Sequence, residues 1–172
     1  MSIKVDITKL LLEQYKLDKA IQDNHKVTYK ETKEKRLVAL LVELGEFANT
    51  TRCFKFWSNK GRDEKERILD EAADCLHFYL SLWICETNEA CVLTPGKTEV
   101  EMVLKKEDFV ADNDYITDLF YKAFNQASSK QLARSLETFL RIIDGLGYSW
   151  IDLEEAYYKK LGVNYDRQNN NY

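Results

Sequence analysis

Chain breakers are scarce. Six glycines and one proline among 172 residues are too few for the turn-rich pattern of a β-sandwich or barrel, and they favour long helices. Cysteine is sparse as well. Cys53, Cys75, Cys85 and Cys91 form no CxxC pair and no His/Cys ligand set, so reduced, structural thiols are expected rather than a disulfide framework or a zinc site. Neither His25 nor His77 follows a glutamate by three residues, and a di-iron helical bundle needs two such ExxH pairs. No apolar run reaches the roughly 18 residues of a membrane span, and the opening "MSIKVDITKLLLEQ" has no basic flank with a small-residue cleavage site. A cytoplasmic location is therefore expected. The net charge of -4 gives no general attraction to nucleic acid. An anionic ligand would have to be held by a local group of Lys and Arg or by metal ions.

What is present is helical. With 31% charged and 45% hydrophobic residues, the chain suits a single all-α domain over 1–172. Leu10, Leu11, Leu17 and Ile21 recur at helical spacing and predict a first helix over about 7–23, with Asp6 or Thr8 as its cap. The second runs to about Phe56 with Leu37, Leu40, Leu41, Leu44 and Phe47 as its buried stripe, and "SNKGRD" breaks it. The third begins near Asp63 and continues through "ERILDEAADCLHFYLSLWIC", apolar on nearly every face and so destined for the centre of the bundle. A long irregular excursion surrounds Pro95. Helices over 114–126, 129–145 and 149–161 follow, and "GVNYDRQNNNY" (162–172) closes the chain as a polar tail.

The anomaly lies in the second and third helices. Glu43 and Glu46 are three apart in "LVALLVELGEFA", and Glu71 and Asp74 repeat the spacing in apolar sequence. Residues i and i+3 share a helix face, so antiparallel packing of the two helices can bring all four carboxylates together. The same spacing at Glu31/Glu34, Glu86/Glu89 and Asp152/Glu155 shows that it is weak evidence alone. What distinguishes the two pairs is isolation: within three or four residues only Glu71 has a basic neighbour, Arg67. Clustered carboxylates beside a core lose hydration and repel one another, so something positive belongs among them. Salt bridges from another segment satisfy that need, and so does a divalent metal. Hard oxygen ligands select Mg²⁺, with Mn²⁺ as a substitute, and Mg²⁺ commonly completes its shell with water and substrate phosphates.

The run "LVELGEFANTTRCFKFWSNK", a gap of 24 residues after Glu46, and then "EAADCLHFYLSL" resemble the dimeric all-α dUTPase family within the MazG-like NTP pyrophosphohydrolases. "EQYKLDKAI" resembles that family's first-helix pattern and "YYKKLGVNYDRQNNNY" its closing motif. The resemblance implies a homodimer that hydrolyses dUTP, and dUDP as well, to dUMP, releasing pyrophosphate from dUTP. It assigns Glu43, Glu46, Glu71 and Asp74 as Mg²⁺ ligands and places Trp57, His77 and Phe78 at the uracil and deoxyribose pocket. Gln14, Asp18 and Asn164 become candidates for hydrogen bonds to base or sugar. Phosphate charge needs cations besides the metal, and Lys55, Lys159, Lys160 and Arg167 are the candidates, with Gln168 a further substrate-binding candidate. One departure is Asn171 before Tyr172, where the family's tail carries glycine.

Each assignment has a plainer counterpart. Phe78 suits core packing as well as stacking on a base, and His77 suits a hydrogen-bonded structural histidine. A basic pair at a helix end is more often surface charge complementing the helix dipole. Glu46 is the expected catalytic base. The alternatives are a related dNTP pyrophosphohydrolase with another base preference and a non-catalytic nucleotide-binding dimerisation module. Neither nucleic acid nor membrane is an expected partner.

Overall fold

The computed structural model describes residues 1–170, so Asn171 and Tyr172, with the departure from the family's closing motif, lie outside the described residues. The order is β1 (Ser2–Asp6), α1 (Thr8–His25), α2 (Tyr29–Thr51), α3 (Lys65–Glu86), α4 (Ala90–Leu93), β2 (Glu99–Val103), α5 (Asn113–Ser128), α6 (Leu132–Gly145) and α7 (Trp150–Asn169). The fold is all-α, as the scarcity of breakers requires. α3 packs against α1, α2, α6 and α7 and buries Ile68, Ala72, Cys75, Leu76, Tyr79 and Leu80. The apolar third helix is thus the central one. All four cysteines are free.

Local chemistry sets the ends. Thr28 and Glu31 form a capping box at the start of α2, which satisfies two otherwise orphaned donors. α2 stops at Thr51, short of the expected Phe56, because Thr50 and Thr51 turn their hydroxyls onto the carbonyls of Phe47 and Ala48 at 2.7 and 2.8 Å. Arg52 then adopts a left-handed conformation at φ 58° and meets Asp63 at 3.3 Å. The bridge fastens the 52–64 loop.

The excursion around Pro95 contains a strand that helical periodicity does not announce. β2 pairs antiparallel with β1, Ser2 opposite Val103 and Asp6 opposite Glu99. Val5, Val100 and Met102 face the core. A second difference lies at the other end, where α7 continues to Asn169 through residues expected to be a tail after 161. Tyr165 packs against the core, and Asn24 of α1 donates to Gln168 at 3.3 Å. Those contacts carry the helix past Gly162.

Candidate active site

α2 and α3 run antiparallel, since Arg36 early in α2 meets Ser81 late in α3 while Glu43 and Glu46 meet Glu71. One oxygen from each of Glu43, Glu46 and Glu71 lies within 4.8 Å of the others. Three carboxylate oxygens so close together could hold one divalent cation between them. Glu46 is exposed, Glu43 half-buried and Glu71 buried.

Asp74 stands just outside this trio. Its Oδ2 is 2.7 Å from Lys160 Nζ of α7, which also reaches Asp70 Oδ2 at 2.9 Å. Arg67 covers the opposite side, with Nη2 2.5 Å from Glu71 Oε1. Salt bridges from elsewhere in the chain thus meet part of the cluster's need. Lys160 and Arg67 neutralise Asp74 and Glu71, whereas Glu43 and Glu46 have no ion pair among the described residues. Burial, with Asp74, Glu46 and Glu71 nearby, pushes Glu43 up to about 7. Burial also raises Glu71 against the pull of Arg67, and raises Asp74 against its hydrogen bond from Lys160. The cluster remains short of positive charge, and its hard oxygen donors suit a divalent cation.

Glu43 and Asp74 also line a cavity of about 460 Å³. Gln14 and Asp18 enter it from α1, Arg36 from α2, His77, Phe78 and Ser81 from α3, and Asn164, Arg167 and Gln168 from α7. Its size suits a small-molecule ligand. Its lining offers an aromatic face, amides and cations directly beside an acidic rim.

Residues 6–172, nearly the whole chain, match the family described as dUTPase. The chain belongs to the dUTPase family. Its activity is accordingly that of a dUTP diphosphatase. Compared with curated proteins, the sequence finds no match.

The single chain of this dUTPase gathers some of the residues expected from its sequence and leaves others apart. Gln14, Asp18, His77, Phe78, Asn164, Arg167 and Gln168 share the cavity with Glu43 and Asp74. Trp57 does not line it; the ring is 64% exposed and packs edge-on against Phe54 and Phe56. Lys55 lies over Phe54, and Lys159 lines a separate groove with Lys65 and Asp152. Lys160 is buried behind Asp74. His77 lines the cavity, while its ring stacks on Tyr157 at 4.2 Å and its Nδ1 lies 2.6 Å from Gln14 Oε1. Burial, with a smaller contribution from Lys160, depresses its pKa to about 3. Gly45 has nothing within 4 Å of the position a Cβ would take, so no close approach within the chain explains it.

Sequence reasoning missed Arg36, Ser81, Tyr29 and Tyr157. Ser81 stands one helical turn beyond His77, and Arg36 two turns before Glu43 on the same stripe, so face periodicity carried a signal for both. Tyr29 and Tyr157 reach the site from the start of α2 and from α7, which only the packing reveals. The acidic pairs that shared the spacing have ordinary roles. Glu31 and Asp152 serve in capping boxes, while Glu86 and Glu89 meet Lys33 and Lys19.

Proposed function

We propose that this dUTPase hydrolyses dUTP in a Mg²⁺-dependent reaction at the junction of the acidic cluster and the 460 Å³ cavity, with Mn²⁺ as a substitute and dUDP as a second substrate. The observation that carries the reading is the convergence of the Glu43, Glu46 and Glu71 oxygens within 4.8 Å, with no basic partner for Glu43 or Glu46 among the described residues. Glu43, Glu46 and Glu71 would hold the ion, with Asp74 as a fourth ligand and Lys160 beside it as a cation for phosphate. Bound Mg²⁺ supplies positive charge to the phosphate oxygens and lowers the pKa of water.

The residues of the chain do the rest. Glu46, the most exposed of the trio, orients and deprotonates the attacking water. Water oxygen adds to phosphorus, one phosphoanhydride bond breaks, and dUMP and pyrophosphate leave. Arg167, with its planar fork of donors, and Lys160 meet the phosphate charge. Phe78 offers a face to the uracil ring, and Gln14 and Asn164 offer amides to its edge or to the sugar. Asp18 and Gln168 belong to the surrounding polar shell, whereas Lys55 and Lys159 stand apart from it in the single chain.

The functional unit in this reading is a homodimer. Val38 and Val42 on the outer side of α2, and Phe56 and Trp57 on the following loop, are exposed, and a second copy gives this apolar surface a partner. Four free thiols suit the reducing cytoplasm.

Pyrophosphate release from dUTP tests the proposal directly. Expected are turnover with Mg²⁺, turnover with Mn²⁺, none after chelation, and slower hydrolysis of dCTP and dTTP. Undiminished turnover in chelator removes the metal, and equal rates on all three nucleotides remove the base preference. Light scattering on the eluted protein reads the dimer as twice the mass of the chain.

A further inference from the structure

Asp18 lines the cavity but is already fully engaged by the protein. Its Oδ1 accepts from Gln14 Nε2 at 3.0 Å and lies 3.2 Å from Arg36 Nη1. Its Oδ2 accepts from the Tyr29 hydroxyl at 2.9 Å and from the Ser81 hydroxyl at 2.7 Å. Those four contacts fill the roughly four acceptor sites of a carboxylate. Arg36 also donates to Ser81 Oγ and, through Nε, to Thr32 Oγ1 at 2.9 Å.

The orientation of every other group follows. A carboxylate beside a guanidinium accepts hydrogen bonds and donates none, so the part of Gln14 facing Asp18 is its NH₂. Gln14 Oε1 then faces His77 Nδ1 at 2.6 Å and the Tyr157 hydroxyl at 3.3 Å. An amide oxygen only accepts, so Nδ1 carries the imidazole proton. His77 Nε2 is left without a proton, and among the described residues it has no hydrogen-bond partner. Asp18 takes one hydrogen of Gln14 Nε2, which leaves the second for the cavity that Gln14 lines.

We infer that Asp18, held by Arg36, Tyr29 and Ser81, is a positioning residue that locks the Gln14 amide as a hydrogen-bond donor to the nucleobase. The lock selects a pyrimidine carbonyl over an exocyclic amine. Uracil presents O4, an acceptor, where cytosine presents an amine, and a second donor facing Gln14 leaves both groups unpaired in a closed site. The inference rests on the nucleotide reading of the cavity and changes the role of Asp18 from contacting the base to aiming the residue that does.

Two measurements test it. Nitrogen-15 NMR of the His77 imidazole in the wild-type protein, without nucleotide, should show the Nδ1–H tautomer with an unprotonated Nε2 at neutral pH; the opposite tautomer overturns the lock. The ratio of kcat/KM for dUTP to that for dCTP should fall at least about tenfold in Asp18→Asn, chiefly through KM, because an asparagine can face Gln14 with either end of its amide. That variant leaves Arg36 unpaired and can fail to fold. Tyr29→Phe and Ser81→Ala, each removing one hydrogen bond while keeping the ion pair, should lower the ratio in the same direction by less. An unchanged ratio in folded variants overturns the proposal. A wild-type protein that hydrolyses neither nucleotide defeats the proposed function instead, and the tautomer still decides the lock.

Discussion

Glu46 and His77 show how far one residue's environment settles its chemistry. Glu46 is the exposed corner of the trio, open to water and beside two further carboxylates. Glu46→Gln should fold normally by circular dichroism yet lower kcat at least about a hundredfold, the low end for a positioned base; near-wild-type turnover would remove Glu46 from that role. His77 is buried and its pKa falls to about 3, below the ordinary 6.5. The unfolded chain therefore binds more protons than the native protein between those values, and stability drops as pH falls through that window. Denaturant titrations from pH 7 to pH 4 should show a steeper loss in the wild type than in His77→Asn, and parallel curves would disprove the histidine's share. The carboxylate pairs were legible as residues because an ionisable group in apolar sequence is conspicuous. Arg36 was overlooked because its place on the Glu43 stripe is a weaker signal: a lone arginine looks alike on a solvated face and in a buried network.

Helices were the best-read elements, and their ends the worst. α7 begins with a capping box in which Ser149 Oγ accepts from the Asp152 N–H at 3.2 Å and Asp152 Oδ2 accepts from the Ser149 N–H at 2.8 Å. Ser149→Ala should cost about 1 kcal/mol, seen as a lower urea midpoint with an unchanged slope and with kcat preserved, because the cap lies far along α7 from Asn164 and Arg167. A loss of activity at full stability would mean that Ser149 acts on the site directly. The other end of α7 and the pairing of β1 with β2 depend on distant partners. "SIKVD" and "EVEMV" alternate as strands do, but their pairing spans some ninety residues of sequence, and no local signal carries it. α7 likewise passes residue 161 because Tyr165 and Gln168 find the core and α1.

For the whole molecule the central fact is charge balance across α2, α3 and α7. Lys160 is buried against Asp70 and Asp74 and offsets carboxylates that α2 and α3 bring together. Lys160→Met should destabilise the apoprotein by at least about 2 kcal/mol, below the full effect of unpairing a deeply buried charge because Asp70 keeps contact with water. Saturating Mg²⁺ should then raise the melting temperature of the variant by more than it raises that of the wild type, since the ion replaces part of the missing charge. Equal shifts would show that lysine and metal do not share the cluster. By itself the sequence determined the helical class, the central helix, the two carboxylate pairs and the motifs that tie it to its family, because each is written in local spacing. Only the tertiary structure decided which cation meets which acid, that Asp18 faces Gln14 rather than open cavity, and that Trp57 lies apart from that cavity in the single chain. Those outcomes depend on contacts between segments far apart in sequence, and helical periodicity fixes a side chain's face but not its partner.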